Sequence, residues 1–193
     1  MSVALAEHVG PWTADDVEAL ADAGDHSRFE IYEGGVLVVS PAPGVGHQRA
    51  SYWVHRALAQ AAATAGIDAE VLEAVNVSLP GGKLLAPDVV VVAADALDDS
   101  ATRIPSDAVL AVVEVVSHSS ASMDRAVKPV MYAEAGIPVY WRVELHETLT
   151  IVACTLRRQA YITSATMTAG TTARISKPFP MTLDPADLTR RTS

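Results

Sequence analysis

Two valine-rich segments, each carrying one acidic residue, constrain the fold of this 193-residue chain more than any other feature. Asp88 directly precedes four consecutive valines, and Glu114 lies inside the run VVEVV at 112–116. Runs that are apolar on both faces are typical of strands buried in the middle of a sheet. A carboxylate in such a strand destabilises the fold by several kcal/mol unless a cation or hydrogen bonds compensate it. The sequence therefore predicts a central sheet with two acids that need a counter-charge.

The remaining segments predict helices around this sheet. Helical patterns cover 13–24, 46–65 and 122–135, while strand patterns cover 28–32, 36–39, 75–79, 83–85, 87–92, 108–117, 139–144, 149–156 and 160–164. This order predicts an α/β (α+β) fold with a mixed central sheet flanked by helices and with additional β-hairpins. We expect a single domain over 1–193, with a core at about 12–160 and a C-terminal β extension at 161–193.

Composition limits the class of protein. Half of the residues are hydrophobic and 19% are charged, which excludes disorder as the dominant state. Cys154 is the single cysteine, so a disulfide scaffold and a paired-cysteine zinc site are excluded and a reducing cytosol is favoured. No apolar run reaches membrane-spanning length and no secretory signal is evident, so we expect a cytoplasmic protein without a membrane partner.

Each of the two acids has an ordinary interpretation as well as a functional one. Asp88 could cap a turn after Pro87, and Glu114 could face solvent on an edge strand. Together, two acids near the same end of adjacent strands match what Mg²⁺ requires, which is one or two carboxylates completed by water and phosphate oxygens. The net charge of −9 argues against coating nucleic acid by charge alone, but it permits a local site where a metal meets a phosphate.

Several short motifs occur in a characteristic order. They are FEIYEG at 29–34, SPAP at 40–43 with His47, PDVVV at 87–91, VEVVS at 113–117, Asp124 with Lys128, and YAEAGIP at 132–138 with Tyr140 and Trp141. Each motif is weak alone, but the ordered set over about 12–160 resembles the Uma-type family of "putative restriction endonucleases" within the PD-(D/E)XK nuclease superfamily.

The resemblance implies a restriction-endonuclease-like fold and hydrolysis of phosphodiester bonds in nucleic acid, with DNA as the expected substrate. It implies that Glu30, Asp88 and Glu114 bind Mg²⁺ or Mn²⁺, and that Asp88 and Glu114 are catalytic. His47 matches a family histidine at the start of a helix, with no role assigned. Related nucleases often dimerise, so a homodimer is expected.

The sequence departs from the family motif at the position of the catalytic lysine. Residues 114 and 116 of a strand point to the same face, so a lysine at 116 would stand beside the metal, but this chain has Val116. Lys128 is the candidate substitute, and Asp124 shares its face of a regular helix. Pro129 predicts that this helix is kinked or begins late.

Two functional hypotheses follow from this departure. The chain is either a metal-dependent endonuclease that uses Lys128, or a catalytically degraded relative that serves as a binding or assembly module. His118, in the loop after the Glu114 strand, is either a base or a solvated loop residue. Tyr132, Tyr140 and Trp141 are expected to pack in the core rather than to contact substrate.

Overall fold

The computed structural model describes residues 5, 7–22, 27–117, 120–145 and 148–189. Three α-helices lie within these ranges: α1 (Ala14–Asp22), α2 (Val45–Ala65) and α3 (Lys128–Glu134). A π-helical turn, Met123–Val127, leads directly into α3. The predicted helix over 122–135 is therefore present but interrupted, and Pro129 lies in the first turn of α3, directly after the π-turn, as expected for a proline that disturbs the helix before it.

A six-stranded mixed sheet forms the centre of the fold. Its strands are β3 (Ala69–Glu73), β6 (Val89–Ala93), β8 (Val109–Val116), β9 (Val139–Glu144), β10 (Thr150–Arg157) and β11 (Ala160–Thr168), in the spatial order β11-β10-β9-β8-β6-β3. Among these six described strands, β8 and β9 are the one parallel pair, and the connection between them contains the π-turn and α3.

A second, five-stranded sheet packs against one face of the central sheet. Its strands are β1 (Arg28–Tyr32), β2 (Val36–Ser40), β4 (Asn76–Leu79), β5 (Lys83–Leu85) and β7 (Arg103–Pro105), in the order β2-β1-β5-β4-β7. A C-terminal hairpin of β12 (Ala173–Ile175) and β13 (Met181–Leu183) completes the described strands.

The valines of β6 show why the central sheet is buried on both faces. Val89 and Val91 pack with α2 and the C-terminal segment, whereas Val90 and Val92 pack with α3 and the five-stranded sheet. Helix α1 covers the opposite face of the five-stranded sheet, where Leu20 packs in one hydrophobic cluster with Phe29 of β1. The layers are thus α2, the central sheet, the five-stranded sheet with α3, and α1.

The structure confirms the mixed sheet with flanking helices and corrects several details. Strands β3 and β7 were not predicted, and β12 and β13 lie in the region expected to form a C-terminal β extension, where no individual strand was placed after residue 164. The edge-strand interpretation of Glu114 is wrong, because β8 is paired on both sides and the side chain is buried. Tyr132, Tyr140 and Trp141 lie in the core as expected. The boundary between core and extension at residue 160 stays a prediction, and β11 crosses it.

Candidate active site

The two acids meet at one end of the central sheet, where β6 begins and β8 ends. The antiparallel register pairs Val89 with Val113, so extending it by one residue sets Asp88 opposite Glu114. A cavity of about 260 Å³ opens beside them, between the central sheet, β1 and the start of α2. The sequence prediction that both acids lie at the same sheet end is therefore met.

Asp88 is held as an ionised carboxylate. Its Oδ2 accepts a hydrogen bond from the Val115 backbone N–H at 2.7 Å and lies 3.2 Å from His47 Nε2. Its Oδ1 accepts a 2.6 Å hydrogen bond from Arg28 Nη1. Burial disfavours the charge, but the hydrogen bond from His47 and the charge of Arg28 outweigh it and lower the pKa of Asp88 to about 2.

Glu114 is in the opposite electrostatic situation. Its Oε1 accepts hydrogen bonds from the Tyr132 hydroxyl at 2.7 Å and from Lys128 Nζ at 3.1 Å. Burial raises the pKa of Glu114 to about 8, and the negative charges of Asp88 and Asp124 reinforce this against the opposing charge of Lys128. The tyrosine was expected only to pack in the core, and its hydroxyl contributes to the site in addition.

Lys128, at the first residue of α3, reaches the site from the helix. Its Nζ lies 2.8 Å from Glu30 Oε1, 3.1 Å from Glu114 Oε1 and 3.6 Å from Asp124 Oδ1. Burial favours the neutral amine, but the charges of Glu114 and Glu30 prevail and raise the pKa of Lys128 above its ordinary value. The expectation that Lys128 and Asp124 share a helix face is confirmed.

Glu30 comes from β1 and brings the five-stranded sheet into the site. Besides Lys128, its Oε1 accepts a hydrogen bond from the Ala86 backbone N–H at 3.0 Å, and its Oε2 accepts one from the Tyr32 hydroxyl at 3.1 Å. Both oxygens thus already have partners. Its expected role as a metal ligand stays a prediction.

Arg28 is the site residue that the sequence analysis missed. Its guanidinium lies between the two strand acids, with Nη1 2.6 Å from Asp88 Oδ1 and Nη2 4.0 Å from Glu114 Oε2. The alternation of side chains along β1 indicates the position of Arg28 in the site. Arg28 and Glu30 share the face toward the cavity, while the intervening Phe29 belongs to the core with α1.

The other predicted residues have mixed outcomes. His47 lies in the first turn of α2 and lines the cavity. Asp124 also lines it, and burial raises the pKa of its carboxyl. Val116 is buried and supplies no cation. His118 lies outside the described residues.

Charge in the cavity is unbalanced toward the acids. The positively charged lysine and arginine that line the cavity are Lys128 and Arg28. Four buried carboxylates line it as well: Glu30, Asp88, Glu114 and Asp124. Within the described ranges, no three histidine, cysteine or acidic side chains converge as a ready-made metal cluster. The expectation that the two strand acids hold a metal stays a prediction, and both acids lie near Arg28.

A mixed sheet with two acids at one end, and with a helix-borne lysine against them, defines the restriction-endonuclease-like class of fold. The chain belongs to the Uma2 family, described as "putative restriction endonuclease", whose sequence model matches residues 14–189. This match confirms the resemblance that the ordered motifs predicted. It supports the general assignment of the chain to the nucleases.

A solved structure shows the same fold. It is described as a "putative nuclease belonging to DUF820" from Anabaena variabilis ATCC 29413. The likeness has a TM-score of 0.60 at 16% sequence identity and covers 83% of this chain and 88% of the other. No functionally curated protein matches the chain. Within the described residues, no helix has the length and apolarity needed to span a membrane.

Proposed function

We propose that this protein is an Mg²⁺- or Mn²⁺-dependent endonuclease that hydrolyses phosphodiester bonds, with DNA as the expected substrate. The observation that carries the proposal is Lys128 Nζ at 3.1 Å from Glu114 Oε1. The chain lacks a lysine at the motif position, and Lys128 supplies an ammonium group to the same acid from α3 instead.

The donor chemistry supports a divalent cation held by Asp88 and Glu114. Magnesium is commonly bound by one or two carboxylates, with water and substrate phosphates as further ligands. Asp88 Oδ1 and Glu114 Oε2 come from neighbouring strands and both face a positive charge. When bound, the metal would lower the pKa of an attacking water and neutralise charge on the phosphate. Glu30 is the candidate for a third carboxylate.

Lys128 would act as a fixed positive charge. The acids around it raise its pKa, so the ammonium group stays protonated at neutral pH. It is therefore suited to orient a water molecule and to stabilise negative charge that develops on the phosphate, and unsuited to remove a proton. Tyr132 supports this arrangement because its hydroxyl fixes the same Glu114 oxygen.

His47 would position Asp88. Its Nε2 lies 3.2 Å from Asp88 Oδ2, and the Val115 N–H binds that same oxygen, so the rotation of the carboxylate is fixed. Fixing Oδ2 directs Oδ1 toward the cavity. A preorganised ligand of this kind reduces the conformational cost of binding a cation.

Cleavage assays test the proposal. We expect labelled single- and double-stranded DNA and RNA to be cut in the presence of Mg²⁺ or Mn²⁺ and to stay intact with EDTA. Asp88→Asn, Glu114→Gln and Lys128→Met should each lower the rate by about 100-fold or more, the usual scale for losing an electrostatic contact in the transition state.

Lys83→Met is the matched control for the lysine variant. Lys83 is also a buried lysine paired with two glutamates, but it does not line the cavity. It should therefore keep full activity. Absence of cleavage on all four substrates would reject the endonuclease and favour the degraded binding module. The expected homodimer stays a prediction that sedimentation equilibrium can measure.

A further inference from the structure

We propose that Arg28 and a divalent cation compete for the same two oxygens, Asp88 Oδ1 and Glu114 Oε2, so that these two acids would hold the cation only when the guanidinium has left them. This inference rests on the proposed function for the existence of a metal site. It adds a role for a residue that lies outside the motifs of the chain.

The distribution of hydrogen bonds over the four carboxylate oxygens carries the argument. Asp88 Oδ2 is taken by the Val115 N–H and His47, and Glu114 Oε1 is taken by Tyr132 and Lys128. These partners come from the backbone and from three separate side chains. The oxygens left for another ligand are Asp88 Oδ1 and Glu114 Oε2.

Both remaining oxygens face the same guanidinium. Arg28 Nη1 lies 2.6 Å from Asp88 Oδ1, and Arg28 Nη2 lies 4.0 Å from Glu114 Oε2. A planar guanidinium presents several donors in a fixed plane, so one side chain can neutralise two acids at once. A cation that bound both oxygens would have to take the place of this guanidinium.

The charges favour exchange of one cation for the other. The four carboxylates of the cavity carry a formal charge of −4 when all are ionised, while Lys128 and Arg28 supply +2. A divalent cation in place of the guanidinium reduces the remaining negative charge. The Arg28 side chain is 24% exposed and belongs to the first residue of β1. The exchange requires that its guanidinium moves into solvent when the cation binds.

The alternative is that Arg28 is only structural and that the metal binds elsewhere in the cavity. Asp124 Oδ1 is buried and has no hydrogen-bond partner within the described residues, so it is the oxygen that such a site would use. In that case Arg28 would remain bound to Asp88 in the metal complex. The two arrangements predict opposite effects of removing the guanidinium.

Calorimetric titration with Mn²⁺ distinguishes them. If Arg28 competes with the metal, Arg28→Gln should bind Mn²⁺ about tenfold more tightly than the wild type, although its melting temperature without metal is lower. Arg103→Gln is the matched control, because it removes an arginine that pairs with Asp15 and Glu18, and none of these three residues lines the cavity. It should leave the Mn²⁺ affinity unchanged.

The outcomes separate this inference from the proposed function. Unchanged or weaker Mn²⁺ binding by Arg28→Gln, with normal binding by the wild type, overturns the competition and leaves the endonuclease proposal intact. Failure of both proteins to bind Mn²⁺ overturns both proposals. Tighter binding by Arg28→Gln supports the competition even where the wild type binds weakly.

A measurement on the wild type covers the case in which Arg28→Gln does not fold. The arginine side-chain Nε–H signal of Arg28 can be assigned by NMR from its loss in Arg28→Lys. Titration with diamagnetic Mg²⁺ should shift this signal toward the position of a solvated guanidinium. A signal that keeps its carboxylate-bound position at saturating Mg²⁺ contradicts the proposal.

Discussion

Glu114 and Asp88 show how neighbouring acids of the same sheet acquire opposite proton affinities. Asp88 has Arg28, His47 and a backbone N–H, and its pKa falls to about 2. Burial raises the pKa of Glu114 to about 8, and the negative charges of Asp88 and Asp124 reinforce this shift against the opposing charges of Lys128 and Arg28. The site therefore holds one firmly ionised acid and one that gains its charge near neutral pH.

This difference predicts the pH dependence of stability. The folded state keeps a proton on Glu114 that the unfolded chain loses near its ordinary pKa of 4.5, so the free energy of unfolding should fall as pH rises from 4.5 to about 8. The slope is at most about 1.4 kcal/mol per pH unit. Asp88 contributes stability that is present above pH 3.8 and is lost only as pH falls toward 2.

Urea unfolding with EDTA between pH 5 and 8 measures this effect. Glu114→Gln stays neutral at every pH, so its stability relative to the wild type should increase steadily across the range. Glu144→Gln is the control, because arginines lower the pKa of Glu144 and its contribution is constant over this window. A constant difference between Glu114→Gln and the wild type would contradict the raised pKa.

At the scale of single elements, the site depends on β1 and its turn to β2. The β1–β2 hairpin carries Arg28 and Glu30, and its turn contains Gly34 and Gly35, both with positive φ. A Cβ added to Gly35 would lie 2.5 Å from Pro11 Cβ, whereas one added to Gly34 would meet nothing within 4 Å. The Trp12 N–H also donates a hydrogen bond to the Gly35 carbonyl.

These two glycines give a matched pair of substitutions. Gly34→Ala should lower the free energy of unfolding by about 1 kcal/mol, from the positive φ alone. Gly35→Ala should lower it by about 2–4 kcal/mol, because the same strain is joined by overlap with Pro11. Equilibrium urea unfolding measures both values. Equal losses of unfolding free energy in the two variants would show that the segment before α1 moves to accommodate the added methyl group.

The same elements show how far the sequence predicts this molecule. The periodicity of apolar residues was sufficient to predict the central strands and α2. Their apolar patterns are long, and residues that interrupt strands or helices bound each pattern at both ends. It missed β3 and β7, which are short or carry exposed polar residues and become strands only through pairing with β6 and β4. Tertiary contacts, rather than local propensity, decide such segments.

The candidate site was predictable in part for a related reason. An acid inside a valine run is anomalous on its own, so Asp88 and Glu114 stood out. Arg28 begins an ordinary-looking amphipathic strand, and its importance appears only when β1 is placed against β6 and β8. Likewise, the distance from Lys128 to Glu114 depends on the π-turn before α3, which residue spacing alone does not reveal.

At the scale of the whole molecule, the candidate site joins parts of the chain that are distant in sequence. Arg28 and Glu30 belong to the five-stranded sheet, Asp88 and Glu114 to the central sheet, and Lys128 to α3. A cation bound at the two strand acids would stabilise only the folded state. Occupancy should therefore raise global stability by mass action.

Thermal unfolding with Mn²⁺ tests this at the level of the intact protein. At 100 times the dissociation constant, the stabilisation is about 2.7 kcal/mol, which corresponds to roughly 5–10 °C for a chain of this size. Asp88→Asn should show no such increase. Asp98→Asn, at an exposed loop acid bonded to Ser100, should keep the full increase. An equal shift in both variants would mean that Mn²⁺ binds elsewhere.

The position of the site between two sheets also has a consequence for motions of the folded state. Opening of the five-stranded sheet away from the central one would separate Arg28 and Glu30 from Asp88 and Lys128, so that each of these buried charges would lose one ion-pair partner. The free energy of such partial opening therefore includes the loss of these ion pairs. Amide hydrogens of β1 and β6 should exchange with solvent in one cooperative unit rather than independently.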